Sequence, residues 1–182
     1  MTDANYTLIF TRRFEAAHRF LMADAPRCRS IHGHTWSITA RIHHRLEVQP
    51  PLYPSSMVAE FSKTKKAWHR WVDQHLDHTL MLNESDPLIW WFQSNAPYQR
   101  LVTCPGDPTT ELLAALLLCK VNAFLRASDE DGLMCHELQI QETPTNAVSI
   151  ICPWVPAGLD KTDAVWWNRA DDSTHDLAKS DD

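Results

Sequence analysis

The chain has 182 residues, 44% of them hydrophobic and 22% charged, which suits one globular domain with a real core. Its formal net charge of −6 argues against a nucleic-acid binder, which carries a basic patch or stripe. No apolar run reaches the length of a membrane span, and Met1 to Asn5 lack the basic and apolar regions of a signal peptide, so a cytoplasmic location is expected.

Residues 7 to 18 read as a strand, with Phe10, Phe14, Ala16 and His18 on one face. Residues 24 to 31 read as a loop. Residues 32 to 44 form the clearest strand: His32, His34, Trp36, Ile38, Ala40 and Ile42 share one face, and Thr35, Ser37, Thr39, Arg41 and His43 the other. A proline-rich turn follows over Pro50 to Ser56, then a short strand over Met57 to Phe61. Ser62 is the expected N-cap of a helix from Lys63 to about Leu76, whose stripe is Trp68, Trp71, Val72, His75 and Leu76. The stretch from Glu84 to Asp107 has three prolines, four aromatic residues and no firm period, and reads as an ordered insertion.

Asp107-Pro108-Thr109-Thr110-Glu111 reads as a helix start, with proline near the first turn, a hydroxyl cap and an acid that suits the helix dipole. The buried stripe expected there is Leu113, Leu116, Leu117, Val121, Phe124 and Leu125. Leu133 to Glu142 reads as a strand with Met134, His136, Leu138, Ile140 and Glu142 on one face, and Asn146 to Cys152 as another. After Trp154 the chain turns polar and acidic. Its last dozen residues are expected to be disordered, while Trp166 and Trp167 suggest that part of this tail docks. Two strands, a third, two helices and two more strands do not alternate as a parallel α/β fold does. They suggest α+β: an antiparallel sheet with two helices on one face.

Five cysteines at irregular spacing contain no C-x-x-C unit, so free thiols are expected rather than a disulfide framework. Cys119, Cys135 and Cys152 read as core residues. Cys28 differs, because it is flanked by Arg27 and Arg29, an electropositive setting of the kind reactive cysteines occupy. The pair His32-Gly33-His34 on a strand puts both imidazoles on one face. His18 from a neighbouring strand would complete a three-nitrogen zinc site with one position open, as a catalytic zinc needs. His43, His44, His69, His75, His136 and His175 read as ordinary surface or core residues.

Six motifs occur in order: Phe14-Glu15-Ala16-Ala17-His18, Cys28-x-x-x-His32-Gly33-His34, Glu60-Phe61-Ser62, Leu76-Asp77-His78, Pro108-Thr109-Thr110-Glu111 and Glu142-Thr143-Pro144-Thr145. Together they resemble the 6-pyruvoyl-tetrahydropterin synthase / 6-carboxytetrahydropterin synthase family over roughly residues 7 to 152. The resemblance implies the tunnelling fold, in which sheets join between subunits into a barrel, commonly a hexamer with sites at subunit interfaces. It implies a synthase domain over 1–154, with the aromatic insertion at about 84–107, and an acidic, partly disordered extension over 155–182. It carries zinc onto His18, His32 and His34 and makes Cys28 the base that takes a carbon-bound proton. Asp77 would orient His78, which moves protons, with Leu76 and Leu80 packed around the pair. Glu142 would anchor the pterin edge, with Thr109 and Thr110 adding bonds to the ring.

The substrate implied is 7,8-dihydroneopterin triphosphate. The three residues between Cys28 and His32 are similar to the bacterial carboxy-type enzymes, which release acetaldehyde and triphosphate on the way to queuosine. The alternatives are the pyruvoyl-type reaction, in which triphosphate is eliminated, and a zinc- or pterin-binding protein without catalysis. Cys28, Asp77 and His78 count against the latter, since binding alone would not need them. Glu60 departs from the aspartate more usual before Phe-Ser.

Overall fold

Alternation along the first two strands builds the centre of the fold. A computed structural model describes residues 6–44, 57–128, 132–151, 159 and 162–177, with β1 at Leu8–His18 and β2 at His32–His44. The two are antiparallel, and every residue of β1 has a partner on β2. Leu8, Phe10, Phe14 and Ala16 are buried with Trp36, Ile38, Ala40 and Ile42 on the face the sequence pattern marks out. The turn expected over Pro50 to Ser56, Cys152 and Trp154 lie outside the described residues.

The remaining strands are β3 (Thr79–Asn83), β4 (Leu101–Cys104), β5 (Leu133–Thr143) and β6 (Asn146–Ile151), in the spatial order β4-β3-β1-β2-β5-β6. The class is α+β as expected, but the sheet is mixed. The pairs β1/β2, β2/β5 and β5/β6 are antiparallel, whereas β1/β3 and β3/β4 are parallel. Parallel neighbours need a long crossover, and the expected insertion supplies one. It folds as a helix, Pro87–Asn95, and then β4.

Three further expectations need correction. Met57 to Phe61 is not a strand: Phe61 already opens the helix Phe61–Trp71, in which Thr64 N–H donates to Glu60 O at 3.0 Å. Glu60, not Ser62, is the cap residue, and the Ser62 hydroxyl donates to the Glu60 carboxylate instead. The third strand is β3, buried at all five positions, so it carries no alternation to read. The helix continues as a π-helical turn, Val72–Leu76. In β5 the register with β2 shifts between Arg41 and Ile42, which leaves His136 as an extra residue. That bulge flips the side-chain parity, so Leu133 and Cys135, not Met134 and His136, join Leu138 and Ile140 in the core.

In chain order the helices are α1 (Pro26–Arg29), α2 (Phe61–Trp71), α3 (Pro87–Asn95) and α4 (Thr110–Ala127). The stripe expected on α4 is buried, but so are Ala114, Ala115, Leu118, Lys120, Asn122 and Ala123. The sheet covers one side of this helix and the chain over 162–177 covers the other. Val165, Trp166 and Trp167 are buried there, and Trp166 stacks on Trp71 with ring centroids 5.6 Å apart.

Lys120 holds that cover in place. Its ammonium donates to the carbonyls of Trp166, Arg169 and Asp171 at 3.0, 2.8 and 2.9 Å and lies 5.0 Å from the Trp71 ring centroid. Burial pulls its pKa down to about 8, with Asp171 pushing the other way. No helix among the described residues is long and apolar enough to cross a membrane.

Lys120→Met removes the donor and leaves three carbonyls without their shared partner. The expected cost is about 2–4 kcal/mol in urea denaturation, with earlier proteolysis near residues 162–177. Unchanged stability and unchanged cleavage would show that Lys120 does not anchor this segment.

Candidate metal centre and active site

His18 ends β1 and His32 begins β2, and the two are direct cross-strand partners, while His34 pairs with Ala16 one step inward. The side chains of all three therefore leave the sheet on the core face, His34 one row beyond Phe14 and Trp36 and the His18–His32 pair one row further. Among the described residues they form the one group of histidine, cysteine or acidic side chains placed to share a metal ion, with ligand atoms within 4.8 Å of one another. Trp36 and Phe20 wall the group: His18 meets their rings edge-on, with centroids 5.1 and 4.9 Å away.

The outer nitrogens decide which way the lone pairs point. His18 Nδ1 lies 2.9 Å from Pro108 O, and His32 Nδ1 lies 2.9 Å from Ser30 O. A carbonyl only accepts, so each Nδ1 carries the proton and each Nε2 presents a lone pair. Those two Nε2 atoms face each other at 3.1 Å. Burial lowers the His18 pKa to about 4, and His32 and His34 lower it further against the opposing Pro108 bond, so His18 is neutral at pH 7. Two facing lone pairs at this distance suit a cation. Nitrogens sharing a tetrahedral zinc lie about 3.3 Å apart when Zn–N is about 2.0–2.1 Å.

Glu142 flanks two of the three imidazoles. Its Oε1 is 3.5 Å from His18 Nε2 and 3.7 Å from His34 Nε2. The β5/β6 register shifts between Gln141 and Thr143, so Glu142 is a bulge residue, a position that re-aims a side chain at the end of a ladder. A depression of about 520 Å³ is lined by His34, Glu142, Arg13, Thr35 and Thr143. A second, of about 410 Å³, is lined by His34, Glu15, Thr35 and His78. Residues 33–35 are common to both, so the two adjoin.

The Asp77–His78 pair follows the π-helical turn. Asp77 Oδ2 accepts from His78 Nδ1 at 2.9 Å, which leaves His78 Nε2 as the exchangeable nitrogen on an exposed ring. Asp77 Oδ1 accepts from Glu15 N–H at 2.8 Å, and His78 N–H donates to Glu15 O at 2.6 Å. The Asp77 carboxyl is held below the usual range mainly by the Glu15 amide, with His78 and Arg100 adding to it. His78 takes φ +59°, the left-handed region.

Cys28 lies in α1, is half-buried and is not a member of the histidine group. Its carbonyl accepts from Phe20 N–H at 2.8 Å, which ties α1 to the end of β1. Cys104 and Cys135 are buried, and burial pushes the Cys104 thiol up to about 12, so neither competes as a reactive thiol. Thr109 accepts from Leu112 N–H at 3.3 Å, so its hydroxyl oxygen caps α4, and Thr110 is the first residue of that helix.

Several contributors carried no signal in the sequence. Carbonyls such as those of Pro108 and Ser30 have no side-chain signature. Asp107 binds the amides of Leu21 and Met22 at 2.8 Å each and Asn83 Nδ2 at 2.9 Å. Burial pushes its carboxyl up, but these three bonds outweigh it and hold it low. Arg19, next to His18, forks onto Asp86 at 2.7 and 3.0 Å. An acid before a helix reads only as a cap, as Asp86 also is for α3.

Residues 7–151 match the family model described as 6-pyruvoyl tetrahydropterin synthase. A 6-carboxy-5,6,7,8-tetrahydropterin synthase of Rickettsia felis is 27% identical over 146 residues, covering 77% of this chain and 97% of the relative. One from Bacillus subtilis is 28% identical over 131 residues, covering 72% and 75%. The crystal structure of an uncharacterized protein from Wolinella succinogenes superposes with a TM-score of 0.67 at 18% identity, covering 82% of this chain and 99% of that one. The 6-pyruvoyl tetrahydropterin synthase of Caenorhabditis elegans superposes at 0.54 and 20%, covering 83% and 98%. These likenesses establish the tunnelling fold that the motifs imply.

The depressed His18 pKa sets a stability test on metal-free protein. The unfolded chain binds a proton at about 6.5 and the folded one at about 4, so His18's contribution is complete above pH 6.5 and is lost as pH falls toward 4. The expected loss across that window is on the order of 3 kcal/mol relative to His18→Gln, read by urea denaturation. Parallel pH profiles for the two proteins would contradict it.

Proposed function

The chain belongs to the 6-pyruvoyl tetrahydropterin synthase family, and from that membership we propose that it is a zinc-dependent 6-carboxy-5,6,7,8-tetrahydropterin synthase. Its substrate on this reading is 7,8-dihydroneopterin triphosphate, converted with loss of acetaldehyde and triphosphate in queuosine biosynthesis. The observation that carries the reading is the facing of His18 Nε2 and His32 Nε2 at 3.1 Å, beside His34 and the Glu142 carboxylate.

His18, His32 and His34 would hold the zinc, which when bound lowers the pKa of the hydroxyls it contacts. Glu142 accepts paired hydrogen bonds from the amino-pyrimidinone edge of the pterin, as a carboxylate does from a guanidinium. Its place in the depression shared with His34 supports that role. Cys28 takes the carbon-bound proton of the substrate side chain as general base. His78, its Nδ1–H held by Asp77, exchanges protons at Nε2 during rearrangement and C–C cleavage. Thr109 can still donate its hydroxyl proton to the ring while its oxygen caps α4. The assembly proposed is a homo-oligomer, a hexamer by family habit, with sites completed at subunit interfaces. The two outer strands of the sheet, β4 and β6, support it, because each leaves one edge unpaired among the described residues.

Incubation with 7,8-dihydroneopterin triphosphate should give 6-carboxytetrahydropterin and acetaldehyde by mass spectrometry. A pyruvoyl product without acetaldehyde would move the chain to the other branch, and tight pterin binding without product would make it a binder. Elemental analysis should find one zinc per chain in the wild type and little in His32→Ala. Cys28→Ala should keep the zinc and lose turnover by about 10²–10⁴-fold, the usual reach of a general base. A near-normal rate in that variant would remove Cys28 from its role.

A further inference from the structure

We propose that Arg100, supplied by the insertion between β3 and β4, is a positioning residue that holds the Asp77–His78 pair in its working geometry. The proposal rests on the reading of that pair as the proton-transfer group, and it gives the insertion a part in the site.

The pair sits where a helix stops. Asp77 N–H donates to Val72 O at 3.0 Å and closes the π-helical turn, and the chain then reverses through His78 in the left-handed region. A residue with a Cβ does not hold that conformation unless its surroundings impose it. From one side, β1 imposes it through the Glu15 amide on Asp77 Oδ1 and the Glu15 carbonyl on His78 N–H. From the other side comes Arg100. Its Nη1 donates to Asp77 O at 2.9 Å and its Nη2 donates to Gln74 O. Both acceptors are carbonyls at the end of a helical segment, the groups that lack partners within the helix.

The main chain of Arg100 makes the bracket rigid. Leu80 N–H donates to Arg100 O at 2.9 Å, and β4 starts at the next residue, paired with Leu80. Side chain and backbone of one residue thus grip the turn at Gln74 and Asp77 and the strand at Leu80. The guanidinium is largely exposed, yet its two terminal nitrogens are spent on backbone carbonyls rather than on a neighbouring acid. A planar fork reaches two carbonyls at once, which a lysine ammonium on a flexible stem does not reproduce. The positive charge beside the turn also favours an ionised Asp77, and an ionised Asp77 keeps the proton on His78 Nδ1.

The test uses the zinc-loaded full chain with Arg100→Ala and Arg100→Lys. Both are expected to keep their zinc and to leave KM within about twofold. In Arg100→Ala, kcat should fall about 10- to 100-fold, as a misplaced proton-transfer group would cause. Added guanidinium should restore part of that loss, and Arg100→Lys should lie between the two. Nitrogen-15 spectra of His78 read the geometry without turnover: the wild type should show the Nδ1–H tautomer, and Arg100→Ala a mixture. If the wild type makes no product but the His78 tautomer still depends on Arg100, the positioning survives and the proposed function fails. Wild-type kcat with an unchanged His78 spectrum in Arg100→Ala would overturn the proposal. So would a loss of kcat that guanidinium does not restore and that comes with loss of zinc or of thermal stability.

Discussion

The register between β1 and β2 is the constraint on which the rest depends. Because His18 lies opposite His32 and Ala16 opposite His34, three imidazoles leave the sheet side by side on its buried face. A slip of one residue would turn one strand's histidines to the other face and Phe14 or Trp36 with them, so the packing that stabilises the core also fixes the site. Phe14 and Trp36 stack with centroids 6.1 Å apart just behind the cluster, and the Trp36 indole donates to Ala16 O at 3.1 Å. Register alone places the rings. The carbonyls of Pro108 and Ser30 then choose their tautomers, and with them the direction of the lone pairs.

That second step explains why the site needs the whole domain. Pro108 belongs to the approach to α4, and α4 is fixed by burial on nearly all sides. Its far side faces the chain over 162–177, strapped down by Lys120. A lysine in this position gives no hydrophobic stripe to read, yet its three protons satisfy carbonyls that the covering segment would otherwise bury unpaired. An apolar face exposed along α4 would leave the helix free to shift, and the carbonyl that orients His18 would shift with it.

What could be read from the residues follows from how each feature is encoded. Period-two alternation is local and strong, so β1, β2 and the three histidines were legible. A proline, a hydroxyl and an acid at a helix start are likewise local, and Thr109 does cap α4. The buried strand β3 was not legible, because burial on both faces removes alternation. The bulge at His136 was hidden, because an extra residue changes parity without changing composition. The same kind of extra residue at Glu142 left a carboxylate readable as a strand-end acid, but not as the neighbour of two imidazole nitrogens. In the tail, Trp166 and Trp167 mark a stretch that docks, but nothing local reveals that Trp166 meets Trp71 and Lys120 from far along the chain.

The segment Asp107-Pro108-Thr109 shows how little chain is needed to join these parts. Thr109 has the extended backbone of a cap residue, φ −72° and ψ 161°, and a residue before proline favours an extended conformation too. Successive groups along extended chain point different ways, so three adjacent residues serve three partners. The Asp107 carboxylate holds the amides of Leu21 and Met22, which lie between His18 and the helix bearing Cys28. The Pro108 carbonyl accepts a hydrogen bond from His18 Nδ1–H, and the Thr109 hydroxyl oxygen caps α4. Proline at the centre has no N–H of its own to satisfy in this crowded spot. Asp107-Pro108-Thr109 thus acts first as a joint between the metal-ligand strand, the segment leading to Cys28 and the long helix. Any contact of Thr109 with a ligand is added to that structural work.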